Sequence, residues 1–353
     1  RALVGQARLT LAKDKPDEAR TQLETALAAD AGDASAWSLL GTLEQSQGRK
    51  REAEAAYTEA LDRNPMLTGV RLLRAQMRTE LGDFAGAGDD IAAVRKLDPK
   101  NPGVLYAEGL LHFRQAQFEP ATAALDQFLN AHPDDLSTLF YLGLAHHELG
   151  NLEQAERYLS RVVARLPQAD DAARYLGVTR LRLDDFSGAE AVLRPLVERQ
   201  PDDVEVLRAL ASALEGQGKH EEASEYLDRT VALQPESAQD RLELAVSRLR
   251  LGDKDEAITE MQQAIALDPE LTRGDLLLIR VHLQAGDFDQ AIEAAGRLRE
   301  KQPENPDPLT LLAIAHAGKG ESGKARAAFE EALQKEPGNP SAAINLASMA
   351  LNE

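Results

Sequence analysis

Residues 34–67 read ASAWSLLGTLEQSQGRKREAEAAYTEALDRNPML, and their spacing decides the fold. Trp37, Leu40 and Gly41 stand three and four residues apart, which places them on one face of a short first helix. Ala53, Tyr57 and Ala60 do the same for a second helix. Gly48 separates the two, because glycine enters the left-handed region without steric cost and so ends a helix. Pro65 closes the second helix: it has no N–H to donate and turns its predecessor away from helical dihedrals.

The same unit recurs along the chain. Prolines stand at Pro65, Pro99, Pro133, Pro167, Pro201, Pro235, Pro269, Pro303 and Pro337, each 34 residues after the last. Ala19, Ala53, Ala87, Ala121, Ala155, Ala189, Ala223, Ala257, Ala291 and Ala325 keep the same period without exception. A fixed period of this size marks a stack of repeated supersecondary units. The inter-helix glycine returns as Gly82, Gly150, Gly218, Gly252, Gly286 and Gly320. Asp33, Asn101, Asp135, Asp203, Ser237, Asn305 and Asn339 precede first helices, where a short polar side chain takes up an orphan N–H. Leu67, Ala169 and Leu271 hold that place in three units, and the cap is expected to shift to Thr68, Asp170 and Thr272. Pro102, Pro306 and Pro340 follow three of the caps, at the favoured first helical position. Small residues on the first helix (Gly41, Ala75, Gly109, Gly143, Gly177, Ala211, Ala245, Ala313) are expected to let the alanine of the second lie close. Ile279 breaks that series and predicts looser packing in its unit.

Composition narrows the functions. The 353 residues carry 40 Lys+Arg against 59 Asp+Glu, a net charge of −19, which argues against nucleic acid as a partner because phosphate binding needs basic groups. There is no cysteine, so disulfides, thiolate metal sites and cysteine nucleophiles are excluded. No run of 18 apolar residues occurs, and the first residues lack the apolar core of a signal peptide. The chain reads as beginning inside a repeat, an excised piece whose parent's leader or anchor lies outside it.

Chemical motifs are sparse. Gly318-Lys319-Gly320-Glu321-Ser322-Gly323-Lys324 fits a phosphate-binding loop in spacing, but Ala325 stands where Ser or Thr must reach Mg²⁺, and a helix precedes it instead of a strand. The glycines there read as the inter-helix turn. His112, His146, His282 and His316 recur at one repeat place and read as half-buried structural histidines; a metal would need several converging ligands. No Ser-His-Asp set, HExxH or dinucleotide fingerprint is present. The reading is therefore of a protein without catalytic residues, cofactor or metal.

The 34-residue helix–turn–helix with Trp37, Leu40, Gly41, Ala53, Tyr57 and Pro65 resembles the tetratricopeptide repeat (TPR) family. The resemblance covers the chain as one array: a near-complete repeat over 1–33, nine full repeats over 34–339, and a capping or continuing helix over 340–353. It implies an all-α, right-handed superhelical solenoid of antiparallel helix pairs, with the first helices lining a concave wall. The wall places then include Tyr106, Leu110, Phe113 and Arg114; Phe140, Leu144 and His147; and Arg174, Val178, Leu181 and Arg182, which are taken as the partner-binding groove. Summed over all units they hold nine arginines (Arg1, Arg8, Arg114, Arg174, Arg182, Arg208, Arg250, Arg273, Arg280) against six acids (Glu80, Glu148, Asp171, Glu205, Glu215, Asp307). The wall is thus expected to differ in sign from the rest of this acidic chain, unless its apolar places serve only to pack one first helix on the next.

The runs Leu244–Asp253, Asp275–Leu278, Gln284–Phe288 and Lys324–Glu330 are similar to the PEP-CTERM/exosortase-system TPR-repeat lipoproteins. That similarity implies a periplasmic parent, anchored at a bacterial membrane, in a system for exopolysaccharide and protein sorting; a cytoplasmic setting is the alternative. The Lys/Asn/Arg carboxylate clamp of the TPR proteins that assist chaperones is missing, which sets that subfamily aside: the corresponding places read Val4/Arg8, Ser38/Thr42 and Leu72/Gln76. The expected function is a non-catalytic scaffold whose groove holds a peptide or protein partner. The rivals are a scaffold contacting anionic polysaccharide through arginine and aromatic side chains, and a structural spacer without a ligand.

Overall fold

In the computed structural model, which describes residues 2–351, the chain is all-α: 21 helices and no strand among the described residues. They form two compact units, Arg1–Leu183 and Asp184–Glu353. Helices of 10–14 residues alternate as first and second members of a pair, and each second helix from Lys50–Arg63 onward stops two residues before its proline. Arg1, one of the wall arginines, lies outside the described residues.

The turn between paired helices needs one residue in the left-handed region. All seven predicted glycines take it, Gly48 at φ 71° and Gly252 at φ 90° among them. Where the repeat lacks glycine, Asp14, Ala116 and Asp184 adopt φ of 56–57° at the same place. The backbone geometry is thus kept by all ten turns, and three residues bear the steric cost of a Cβ there.

Five of the seven predicted caps form at the cap position; at the other two, Pro102 and Pro306 hold the cap instead of the first helical place, and Asn101 and Asn305 bond the helix from one residue further out. Asp33 accepts from the Ser35 and Ala36 amides, Asp135 from Thr138, Asp203 from Glu205 and Val206, and Ser237 from Asp240. Asn101, Asn305 and Asn339 accept from the amides of Gly103, Asp307 and Ala342 at 3.0 Å each. The expected shift of the other three caps does not occur. Thr68, Asp170 and Thr272 are already the first residues of their helices, and Leu67, Ala169 and Leu271 sit at the cap with no side-chain bond.

Packing within a pair follows a size rule that differs from the expected one. The ten periodic alanines are all fully buried, but the residue that meets the first helix's small place lies four further on. A Cβ at Gly41 would stand 2.5 Å from the Tyr57 ring, one at Gly109 2.5 Å from Leu125, and one at Gly143 2.6 Å from Leu159. Ile279 is accommodated by a small partner on the second helix. Its counterpart sixteen residues on is Ala295, and both are fully buried in one cluster with Met261 and Leu298. In the last helix, Pro340–Leu351, Ala342 is buried and Leu346 packs against the Phe329 cluster, whereas Ile344 and Leu351 are exposed.

One buried carboxylate is central to the first unit. Asp90, 2% exposed, receives Arg74 through two bonds of 2.8 and 2.6 Å, Arg78 at 2.9 Å and Arg71 at 3.3 Å. Such a site is favourable only when every partner is in place.

Candidate functional site

The candidate wall lies in the first unit, on the first helices Gly103–Arg114, Leu136–Glu148 and Asp170–Arg182. Its aromatic places do come together, through a residue the sequence reading did not select. Tyr141 lies 5.3 Å from Phe113 and 5.7 Å from Phe140, ring to ring and edge-on in both cases. Phe113 also meets Phe118 at 5.6 Å, and Tyr106 meets Phe128 at 5.4 Å. The Tyr106 hydroxyl sits beside Ser137 and Tyr141, and burial pushes it up to about 12. Tyr106, Tyr141, Phe113 and Phe140 are all half-buried, so each ring leaves an edge or face to solvent. Edge-on rings of this kind are the preferred aromatic arrangement. The signal for Tyr141 was present in its spacing, one repeat and one residue after Tyr106, but it falls just outside the places assigned to the wall.

Three selected residues belong to packing. Leu110 is 1% exposed, and Leu144 and His147 are each 8% exposed, so none offers a surface to a partner. His147 is held on both ring nitrogens. The Thr179 hydroxyl donates to the Tyr175 carbonyl at 2.6 Å and therefore accepts from His147 Nδ1 at 2.8 Å. Nε2 then faces Arg182 Nη1 at 3.4 Å, and the same guanidinium donates to the His147 carbonyl at 3.2 Å. Burial first, and Arg182 second, hold this imidazole below its ordinary value, so it stays neutral.

Val178 and Leu181 are half-buried, and Arg114 and Arg182 are exposed. Arg174 donates to Asp171 at 2.7 Å and lies over the Tyr175 ring at 5.7 Å. Three of the wall arginines, Arg174, Arg208 and Arg250, are occupied in ion pairs. In the second unit, Arg208 pairs with Glu205 at 2.5 Å and with the fully buried Asp240 at 2.8 Å, and Arg250 pairs with Glu215. The predicted surplus of arginines was a count of residue types; the structure pairs Arg174 and Arg208 with acids on their own helices, Arg250 with Glu215 of the preceding repeat, and Arg208 also with Asp240 of the next.

Beside Phe140 opens an apolar pocket of about 260 Å³, lined by Leu136, Val162, Leu166 and Ala172 together with Asp170 and Asp171. A larger cleft of about 420 Å³ in the second unit is lined by Ser212, Glu215, Ser247, Arg250 and Arg273. Its Glu215 already accepts from Ser247, His220 and Arg250, and these donors hold it below the usual carboxylate range against the effect of burial.

The periodic histidines brace turns. His112, His146 and His316 are half-buried, and each ring Nδ1 meets the side chain five residues on: Gln117 at 2.8 Å, Asn151 at 3.4 Å and Glu321 at 2.7 Å. His282 faces Asp287 in the same way at 3.6 Å. No group of three or more metal-ligating side chains converges among the described residues. In the glycine-rich stretch, a Cβ at Gly318 would lie 2.2 Å from the Phe288 ring, so packing accounts for that glycine. Among the described residues, no helix is long and apolar enough to cross a membrane.

Repeated helix pairs with a partly open aromatic wall define a helical-repeat scaffold. The tetratricopeptide repeat model matches residues 4–44, 38–102, 106–170, 148–204, 176–238, 208–272, 276–340 and 310–352, and the chain belongs to that family. Solved structures with a similar fold include MamA, at 27% identity over 49% of this chain and 94% of that one with a TM-score of 0.45. Another is a MamA segment from Desulfovibrio magneticus RS-1, at 21% identity over 49% and 97% with a TM-score of 0.46. Yeast Tom70 aligns over 99% of this chain and 88% of its own, at 17% identity and a TM-score of 0.44. No curated protein matches the sequence.

Proposed function

We propose that the chain is a non-catalytic scaffold that binds a protein segment along the first-helix wall of its first unit. The observation that carries this reading is the Tyr106–Tyr141–Phe113 and Phe140 strip: four half-exposed aromatic rings in one run, in a chain whose aromatic content is only 4%. Aromatic and arginine side chains supply most of the binding energy at protein interfaces, and Arg114 adjoins Phe113 on the same helix end. An extended or helical partner laid on such a wall buries apolar area without requiring the repeats to rearrange. An anionic polysaccharide is the less favoured ligand, because Arg174, Arg208 and Arg250 already pair with acids. The proposed setting is a bacterial envelope system for exopolysaccharide and protein sorting, through a parent protein with an anchor beyond this sequence; it rests on the motif similarity alone.

The test is a pull-down from bacterial envelope extract with this chain as bait, followed by affinity and melting measurements on Phe140→Ala. The expected loss is about 1–3 kcal/mol of binding with the array still folded. A large drop in melting temperature with unchanged affinity would assign Phe140 to packing alone. Steep weakening by salt would favour the polysaccharide, since apolar contacts are little screened.

A further inference from the structure

The pocket beside Phe140 owes its apolar character to two departures from the repeat at a single junction. The residue that ends each second helix is polar elsewhere: Asn64, Asp98, His132, Gln200, Gln234 and Asp268 hold the place that Leu166 holds here. The fold has a use for a polar group at that point. Asp30, Asn64 and Asp268 each accept from the amide two residues on, at 3.0–3.1 Å. Leu166 gives that bond up, and it remains 48% exposed, so core packing does not repay the loss. Three residues later Ala169 stands where seven other units place a side chain that bonds the start of the first helix, and it caps nothing. Leu67 and Leu271 also forgo a side-chain cap, but there the preceding place keeps Asn64 or Asp268. Only at 166–169, among the described residues, are both places apolar.

The outcome is a recess of about 260 Å³, lined by the buried Val162 and Ala172 together with Phe140 and Leu166. Its lining contains two carboxylates, Asp170 and Asp171, and neither Lys nor Arg. The Asp171 side chain is 72% exposed, with one oxygen on Arg174. We infer that this pocket takes one apolar side chain of the bound protein segment, with a Lys or Arg beside it paired to Asp171. The inference rests on the wall of the first unit being the binding face, and it adds the chemistry of the segment: an apolar anchor next to a cation. The cation is set by the lining, because an acid there would meet Asp170 and Asp171 at close range.

The experiment pans a phage-displayed random peptide library against the full chain and resynthesises the enriched sequence with a fluorophore. Enrichment of an apolar residue adjoining Lys or Arg is expected. Leu166→Asn and Ala169→Asn restore residues that the repeat uses elsewhere, so both variants should melt at or above the parent's temperature. Each should nevertheless weaken the resynthesised peptide about tenfold, the effect of losing one anchor contact. Asp171→Asn should abolish the preference for the basic neighbour and leave the apolar one. Enrichment of acidic sequences, or binding unchanged by both junction variants while Tyr141→Ala weakens it, would overturn the pocket's role and leave the aromatic wall standing. A library that yields no binding sequence would overturn both.

Discussion

Ile279 and Ala295 reverse the sizes that other helix pairs give to the same two places. Elsewhere the first-helix residue is small and its counterpart sixteen places on is large: Gly41 with Tyr57, Gly109 with Leu125, Gly143 with Leu159. Here the branched side chain comes from the first helix and the methyl from the second, and both are fully buried in one cluster. The space between paired helices is conserved, and either helix can fill it.

That exchange makes a paired prediction. Ala295→Leu alone should overpack the site and cost about 1–3 kcal/mol. Ile279→Ala alone should leave a cavity and cost about 2–5 kcal/mol. The double substitution restores the arrangement of the other repeats and should be less destabilising than the two losses added together. Urea denaturation of the four proteins gives the coupling, and strict additivity would show that the two residues do not share one space.

Ala116 holds φ at 56° in a turn where seven other units place glycine. Ala116→Gly removes a Cβ from the left-handed region but adds freedom to the unfolded chain, so the expected gain is about 0.5–1 kcal/mol. The same substitution at Ala121, fully buried inside the second helix, should destabilise instead. Thermal melting of the two variants reads opposite signs if the turn geometry is as described.

Asp90 gathers three arginines, of which Arg74 is 8% exposed. Removing the carboxylate strands a buried guanidinium, and Asp90→Ala should cost about 3–5 kcal/mol. Replacing Arg71, the most distant of the three at 3.3 Å, should cost much less. Equal losses from Asp90→Ala and Arg71→Ala in chemical denaturation would contradict a network centred on Asp90 and Arg74.

His147 gives the first unit a defined response to acid. Its folded pKa is depressed below 6.5 by burial and by Arg182, with Glu148 opposing weakly. The imidazole is neutral in both states at high pH. As pH falls through about 6.5 the unfolded chain takes up the proton first, so stability declines from there until the folded value is also passed. His147→Gln cannot take up that proton, so its stability should fall less than the parent's between about pH 7 and pH 5. Parallel curves over that window would show that His147 is not the group responsible. The lowered carboxylates Glu44 and Glu215 act in a more acidic range, below their ordinary value of 4.5.

The sequence by itself determined the fold class, the helix pairs, the turns and five of the ten caps. Each of these depends on residues close in the chain. A proline fixes its own φ, a glycine frees its own, and Asp135 reaches an amide only three residues away. Period alone then required each pair to stack on the next. What the tertiary structure decided was which side chains on the wall remain available. Tyr106, Leu110 and Phe113 stand on one short helix, yet Leu110 is buried and the two rings are half-open. Arg208 reads as a free cation until Asp240, 32 residues on, is brought against it. Tyr141 was legible as an aromatic residue, but its place between Phe113 and Phe140 depends on the angle at which one repeat packs on the next. That angle is set by the sizes of side chains meeting across two repeats, which no spacing within one repeat encodes.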